Sequence, residues 1–204
     1  MKNWLRLLFA VLLSGFLSMT QAQTLLVVGD SISAAYGIDI GQGWVAQLQQ
    51  RLDERQLSYQ VVNASISGDT SAGGRTRLPA LLEQHAPFLT IIELGGNDGL
   101  RGLPLERLKD NLADMVQQAQ AQGSRVILLG MRIPPNYGPR YTEGFYQVYQ
   151  QLREELEVPV LDFLLEGVGG VKDMIQSDGI HPTAKAQPLL LDNAWPLIEQ
   201  QLQP

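Results

Sequence analysis

Short apolar runs that alternate with helical patterns are the feature that most constrains how this chain can fold. Four runs rich in Val, Ile and Leu are flanked by Gly, Pro, Asn or Asp, which is typical of strands buried on both faces. These runs span residues 24–29, 59–63, 89–94 and 125–131. A fifth run, residues 158–161, is predicted to lie at a sheet edge, because Pro159 has no N–H to donate to a neighbouring strand.

Helical patterns fill the intervals between these runs. They cover residues 44–55, 77–85, 105–122, 142–156 and 183–202. Strands that alternate with helices form right-handed crossovers and a parallel sheet with helices on both faces. Because no flexible linker, charge block or internal repeat divides the chain, we predict one three-layer α/β/α domain that spans residues 23–204.

The first 22 residues differ in character from the rest. Lys2 and Arg6 precede an almost unbroken apolar run, residues 7–19, and small residues stand at Thr20 and Ala22, the -3 and -1 positions of a cleavage site. This pattern is typical of a cleaved signal peptide. A helix over the run would extend only ~20 Å, against ~30 Å for a membrane core, so an uncleaved anchor is the weaker alternative. We therefore predict a signal peptide over residues 1–22 and an exported protein, periplasmic or secreted.

Composition excludes several functional classes. The 204 residues include no cysteine, which rules out disulfides, thiolate nucleophiles, zinc–thiolate sites and iron–sulfur clusters. The net charge is -6 and no basic cluster is present, so we expect no nucleic-acid partner. The two histidines lie far apart and no glycine-rich nucleotide-binding motif opens a helix, so we expect neither a metal nor a cofactor.

The residues that follow each strand are candidates for chemistry, because parallel sheets bind ligands outside the carboxyl ends of their strands. Small polar side chains follow four of the five predicted strands, in segments 29–33, 65–70, 95–98 and 177–182. Hydrolysis of an ester requires a nucleophile, a base, a group that orients the base, and donors for the oxyanion. These segments contain a candidate for each role.

His181 is the candidate base. His85 ends a predicted helix, where a cation near the last carbonyls is a sufficient structural explanation. Pro182 restricts the backbone of His181, and Asp178 lies three residues earlier, close enough in a turn for its carboxylate to orient the imidazole. The structural alternative is that Asp178 and Gly179 form an ordinary turn and that His181 is a surface residue.

Ser31 is the candidate nucleophile, because it follows the first predicted strand where Gly29 permits a sharp turn. The backbone N–H of Gly68 and the side-chain amide of Asn97 are candidate oxyanion donors, each typically worth ~3 to 4 kcal/mol of transition-state stabilisation. Each residue has a structural alternative: a helix N-cap for Ser31, a tight turn for Gly68 and an Asx cap for Asn97.

Together these residues form four sequence blocks that resemble those of the SGNH (GDSL) hydrolase superfamily in order and spacing. The blocks are Gly29-Asp30-Ser31-Ile32, Gly68, Gly95-Gly96-Asn97-Asp98 and Asp178-Gly179-Ile180-His181-Pro182. The resemblance covers the whole mature chain and is strongest with the small bacterial branch of multifunctional thioesterase I / protease I / lysophospholipase L1 enzymes, often called arylesterases. Ile32 replaces the leucine of the family motif, which is a conservative apolar change.

The resemblance implies a flavodoxin-like five-stranded parallel sheet and a serine esterase mechanism without a cofactor. It implies that Ser31 is the nucleophile, that His181 is the base and that Asp178 orients the base. It also implies an oxyanion hole formed by the N–H groups of Ser31 and Gly68 and by the side chain of Asn97. The substrates it implies are acyl thioesters, aryl esters and lysophospholipids, hydrolysed through an acyl-enzyme on Ser31.

An apolar rim is expected beside these residues, because apolar and aromatic side chains follow the third and fourth predicted strands. The candidate substrate-binding residues are Ile32, Leu100, Leu103, Pro134 and Tyr137. Phe145 and Tyr149, four residues apart, fit the acyl groove and the core of the next helix equally well. No cluster of Lys or Arg is present to bind phosphates, so the acyl part of the substrate is expected to dominate recognition.

Two other functions remain open from the sequence. Other branches of the superfamily are carbohydrate O-acetylesterases, which would use the same residues but favour acetyl groups. A flavodoxin-like sheet is also compatible with a binding module without catalysis, because fold does not determine function. For the main hypothesis we expect a monomer that acts on a small-molecule ester and has no permanent membrane anchor.

Overall fold

Five parallel strands form the central sheet of the computed structural model, which describes residues 22–203. The strands are β1 (Gln23–Gly29), β2 (Tyr59–Asn63), β3 (Leu89–Glu93), β4 (Arg125–Leu129) and β5 (Val160–Leu161), in the order β2-β1-β3-β4-β5. The predicted signal peptide lies outside the described residues, except for Ala22. The parallel α/β sheet predicted from the apolar runs is confirmed.

The central pair, β1 and β3, is largely apolar and buried on both faces. Every residue of β3 is buried, and so are the last five residues of β1. Their register places Val27 opposite Ile91 and Gly29 opposite Glu93. Since both strands run in the same direction and end at the same level, the loops that follow them emerge side by side.

Six α-helices lie within residues 22–203, and the five longer ones form two groups on the sheet. The helices are α1 (Trp44–Glu54), α2 (Ser71–His85), α3 (Gly96–Leu100), α4 (Leu105–Ala121), α5 (Pro139–Leu156) and α6 (Gln187–Leu202). Helix α1 packs against α6, whereas α4 packs against both α2 and α5. The sheet lies between these two groups, which gives the predicted three layers.

The two residues left open between groove and core belong to the core. Phe145 and Tyr149 of α5 are almost completely buried, with their rings 5.7 Å apart in an edge-on pair. The Tyr149 hydroxyl donates a hydrogen bond to the carbonyl of Leu94, at 2.8 Å, which satisfies its polar atom inside the core. His85 is the last residue of α2, as its sequence position indicated.

The prediction that the second helix begins at residue 77 is wrong, because α2 begins at Ser71. The side chain of Thr70 caps this helix by accepting a hydrogen bond from the N–H of Gly73. Gly73 and Gly74 conceal the helical pattern in the sequence. A Cβ at Gly74 would lie 2.2 Å from Cδ1 of Leu94, so tight packing accounts for this glycine.

Three smaller differences concern short elements. Helix α3 was not predicted, since the sequence Gly-Asn-Asp-Gly-Leu has no apolar periodicity. The pattern at 183–202 divides into a 3-10 turn, Ala184–Ala186, and α6. Strand β5 has only two residues but lies at the predicted edge, where the N–H of Leu128 bonds to the carbonyl of Pro159.

The central strands are predicted to dominate stability. Ile91→Ala empties a fully buried position of β3 and should lower the free energy of unfolding by about 2–5 kcal/mol. Ile40→Ala makes the same change at a residue that is 74% exposed and should alter it by less than about 0.5 kcal/mol. Urea unfolding of both variants measures the difference, and equal effects would contradict this description of the core.

Candidate active site

Ser31, His181 and Asp178 form a connected chain of polar contacts. Oγ of Ser31 lies 2.9 Å from Nε2 of His181, although the two residues are 150 positions apart in the sequence. Nδ1 of the same ring lies 2.6 Å from Oδ2 of Asp178. Because a carboxylate only accepts hydrogen bonds, Nδ1 carries the ring proton and Nε2 is left free to accept a proton from the serine.

Ser31 lies in a tight turn directly after β1. The N–H of Ala34 bonds to the carbonyl of Asp30, and the N–H of Tyr36 bonds to the carbonyl of Ser31, each at 3.0 Å. Gly29 has no room for a side chain, since a Cβ there would lie 2.8 Å from Oε2 of Glu93. The chain therefore turns sharply at this point and presents the serine hydroxyl toward His181.

Asp178 holds both the backbone and the ring of the histidine segment. Its Oδ1 accepts hydrogen bonds from the N–H groups of Ile180 and His181, at 2.9 and 3.1 Å, and its Oδ2 contacts the ring. The backbone N–H of Ile180, then the ring of His181, lower the pKa of Asp178 to about 2. The carboxylate is therefore ionised at every pH near neutrality, although it is partly exposed.

Further contacts fix the position of His181. Its carbonyl accepts a hydrogen bond from the N–H of Gln176, at 2.7 Å, and an isolated antiparallel bridge joins Ile175 to Pro182. The ring of Tyr36 lies against the imidazole, with centroids 4.5 Å apart. Sequence reasoning did not identify Tyr36, because an aromatic residue in a loop carries no signal of its partner.

Two of the predicted oxyanion donors, Asn97 and Gly68, stand on separate elements that follow β3 and β2. Asn97, on α3, lines the same cavity as Ser31 and His181, and its Nδ2 donates to Oδ2 of Asp30 at 3.0 Å. Gly68 has φ +78° and does not line that cavity. Its loop is attached to the site at both sides: the N–H of Ile66 bonds to the carbonyl of Gly29, at 3.0 Å, and Arg101 donates to the carbonyl of Gly68, at 2.9 Å.

A cavity of about 540 Å³ opens beside Ser31 and His181. Ile32, Leu100 and Pro134 line it, as predicted from the sequence. Leu103 and Tyr137 do not line it. The Tyr137 hydroxyl instead donates to the carbonyl of Leu100, at 2.8 Å, so this residue holds the loop that follows α3.

The opposite wall of the cavity was missed by the sequence reasoning. It is formed by the segment between β5 and His181, with apolar side chains from Phe163, Leu165, Ile175 and Ile180. This segment has no regular periodicity, and its apolar residues were therefore not assigned to a face. Their concentration just before the histidine block is the only signal in the sequence that points to this wall.

Two buried carboxyl groups lie beneath the nucleophile and were also not anticipated. Burial raises the pKa of Asp30 to about 6 and that of Glu93 well above its ordinary range. Oε2 of Glu93 accepts a hydrogen bond from Oγ of Ser33, at 2.7 Å, and this hydroxyl accepts one from the indole of Trp44, at 3.2 Å. The N–H of Asp30 also donates to Oε2, at 3.3 Å, so these bonds hold the Glu93 carboxyl in place at the end of β3.

The described part of the chain, residues 22–203, contains neither a metal-binding cluster nor a membrane-spanning helix. No group of three or more His, Asp or Glu side chains in this range is placed to hold a metal ion. No helix in the same range is long and apolar enough to cross a bilayer.

Comparison with known proteins connects this geometry to a family. A model of the GDSL-like Lipase/Acylhydrolase family matches residues 27–188. The chain is 59% identical to the esterase TesA of Pseudomonas aeruginosa, over 93% of this chain and 98% of that protein. It is 45% identical to thioesterase 1/protease 1/lysophospholipase L1 of Escherichia coli K12, over 97% and 90% of the two chains. A crystal structure of TesA superposes with a TM-score of 0.86, covering 88% of this chain and 99% of that one.

Asp178→Asn is predicted to reverse the polarity of the ring contact without unfolding the loop. The new Oδ1 can still accept from Ile180 and His181, but an NH₂ group replaces the oxygen that faces Nδ1. The ring proton should move to Nε2, where it blocks proton transfer from Ser31, and ester hydrolysis should fall about 10⁴-fold. Ring ¹⁵N NMR reports the tautomer, and an unchanged tautomer would contradict this account of the contact.

Proposed function

The chain belongs to the GDSL-like lipase/acylhydrolase family and hydrolyses ester bonds, and from this premise we propose that Ser31 is its nucleophile. The observation that carries the proposal is the chain of contacts from Ser31 through His181 to Asp178, at 2.9 and 2.6 Å. A nucleophile, a base and a group that orients the base are the minimum for acyl transfer through a covalent intermediate.

In the first half of the reaction, Oγ of Ser31 attacks the acyl carbonyl carbon while Nε2 of His181 takes the hydroxyl proton. The carbonyl oxygen becomes an oxyanion, to which the N–H groups of Ser31 and Gly68 and the amide of Asn97 donate hydrogen bonds. The intermediate collapses as the bond to the leaving group breaks, and the protonated ring returns its proton to the leaving alkoxide or thiolate. An acyl-enzyme on Ser31 remains.

In the second half, water replaces the leaving group. Nε2 of His181 takes a proton from the water, whose oxygen attacks the acyl carbon, and the same ring then protonates Oγ of Ser31 as the carboxylic acid leaves. The ionised Asp178 stabilises the imidazolium in both halves. No redox step or external cofactor enters this balance.

The walls of the cavity support acyl chains as the group that is recognised. The walls are largely apolar, and Arg132 is the one Lys or Arg side chain among the described residues that line the cavity. A cavity of about 540 Å³ is far larger than an acetyl group requires. We therefore propose that the enzyme prefers medium to long acyl esters and thioesters, including lysophospholipids, over carbohydrate O-acetyl groups. The family assignment leaves no support for a binding module without catalysis.

The cellular setting belongs to the same proposal. We propose that residues 1–22 direct export to the periplasm and that the mature protein acts as a monomer. The basic start, the apolar run and the small residues at Thr20 and Ala22 support the export proposal. A second copy is not required for the proposed chemistry, because Ser31, His181 and Asp178 of one chain contact one another directly.

The nucleophile is tested with Ser31→Ala, which removes only Oγ. Hydrolysis of p-nitrophenyl decanoate should fall on the order of 10⁴-fold or more. A fluorophosphonate probe should label the wild-type protein but not this variant. Ser58→Ala is the matched control, because Ser58 is exposed and remote from the site. Labelling that persists in Ser31→Ala would exclude Ser31 as the nucleophile.

The substrate proposal is tested by comparing decanoate with acetate esters. The wild-type kcat/KM should be higher for the decanoate than for the acetate. Ile180→Ser should lower the kcat/KM for the decanoate about tenfold, because the apolar contact between Ile180 and the acyl chain of the ester is lost. Acetate hydrolysis should change less than about threefold. Ile40→Ser, an exposed position outside the cavity, should change neither value. A wild-type preference for acetate would favour the O-acetylesterase alternative.

A further inference from the structure

The carboxylate of Asp30 connects the nucleophile's turn to the predicted oxyanion donor on α3. Its Oδ1 accepts the backbone N–H of Ile32, and its Oδ2 accepts Nδ2 of Asn97, both at 3.0 Å. The residue is only 2% exposed. Asp30 does not belong to the proton path through His181, so the mechanism described above leaves this buried group without a role.

The contact with Asn97 determines which way that side chain faces. A carboxylate accepts hydrogen bonds and donates none, so the NH₂ group of the amide points toward Asp30 and the amide oxygen points away. One N–H of the NH₂ group bonds to Asp30, and the second remains available to an oxyanion. If a hydrogen-bond donor stood in place of this Asp30 oxygen, the NH₂ group of Asn97 would no longer be favoured on the side that faces residue 30.

The contact with Ile32 shapes the segment that carries the nucleophile. A side-chain oxygen that accepts the N–H two residues later forms an Asx turn, which here encloses Ser31. Because the N–H of Ile32 is already bonded, the N–H of Ser31 is the one left at the turn for a substrate. The two oxygens of one carboxylate thus reach two separate parts of the predicted oxyanion hole.

We propose that Asp30 is a positioning residue for ester hydrolysis, whose ionised carboxylate orients the Asn97 amide and the Ser31 turn before the substrate binds. This inference rests on the proposed function. It adds a second acidic side chain that has to be ionised for catalysis, besides Asp178. A purely structural role for Asp30 would predict effects on stability alone.

The surroundings of Asp30 make its ionisation sensitive to pH. The titratable groups that face it are Glu93 of β3, His181, Asp69 of the loop after β2, and Tyr149 of α5. Burial raises the pKa of Asp30 to about 6, against the opposing effect of its bonds from Ile32 and Asn97. Below that pH the carboxyl gains an O–H donor and loses an acceptor, so one of its two bonds is lost.

The acid limb of the pH profile of kcat/KM therefore distinguishes a positioning role of Asp30 from a purely structural one. Two groups have to be deprotonated for activity, the imidazole as base and Asp30 as the orienting acceptor. The plot of log kcat/KM against pH from 4 to 8 should approach a slope of two at its acid end in the wild-type protein. With Asp30→Asn this carboxyl no longer contributes to the acid limb, so the slope should fall by one unit. An acid limb of the same slope in the wild-type protein and in Asp30→Asn would overturn the proposal.

The rate constants give a second readout. Asp30→Asn should lower kcat by about 10² to 10³-fold at pH 8, the typical effect of losing one oxyanion donor. KM should change less than about threefold, since the acyl-binding walls are untouched. Glu93→Gln is the matched control, because it replaces the neighbouring buried carboxyl but leaves both oxygens of Asp30 bonded. It should keep kcat within about threefold and the slope at two.

A double-mutant cycle tests the connection to Asn97. In the Asn97→Ala background, Asp30→Asn should cost less than about tenfold in kcat, because the amide it orients is absent. The full 10² to 10³-fold loss in that background would overturn the proposal, as would wild-type kcat in Asp30→Asn alone. If the proposed function itself is wrong, Ser31→Ala retains full activity, which is a separate result. Circular dichroism confirms that each variant is folded.

Discussion

The parallel pairing of β1 with β3 is the constraint on which the rest of the site depends. Because Gly29 lies opposite Glu93, the turn with Ser31 and the short helix with Asn97 emerge from adjacent strands at one level. Both strands are largely apolar and fill the space between the two helix layers. Glu93 at the end of β3 is an exception, because its carboxyl accepts a hydrogen bond from Ser33 in the loop that follows β1. The packing of the two strands thus positions Ser31 and Asn97. His181 lies in a separate loop, and a turn within that loop places its ring beside Ser31.

Sequence reasoning predicted the sheet well because apolar runs and strand ends are local features. The edge position of β5 followed from Pro159 alone, and the histidine turn followed from the spacing of Asp178 and His181. The elements that were predicted wrongly or missed have a common physical cause: contacts between distant parts of the chain, and not the local sequence pattern, determine their structure. Gly74 lies inside α2 because Leu94 leaves no room for a side chain, and α3 forms in a sequence without apolar periodicity. The cavity wall between β5 and His181 was missed for the same reason.

Two aspartates near Ser31 show how environment separates residues of one type. Asp178 is partly exposed and receives two backbone N–H bonds and a ring contact, which hold its pKa at about 2. Asp30 receives two bonds as well, but its burial outweighs them and raises its pKa to about 6. The exposed carboxylate is therefore ionised well below neutral pH, whereas the buried one becomes protonated as the pH falls through about 6. Under the positioning role proposed for Asp30, that difference makes ester hydrolysis depend on pH.

The same burial sets a conflict between stability and function. Between the ordinary pKa of an aspartate, 3.8, and the value of about 6 in the folded protein, Asp30 binds a proton when folded but not when unfolded. Its contribution to the free energy of unfolding therefore decreases as the pH rises through this interval and stays unfavourable above it. A neutral side chain at this position would escape that penalty. The presence of a carboxylate beside the buried Glu93 is explained if the negative charge is needed where the amide of Asn97 has to be held.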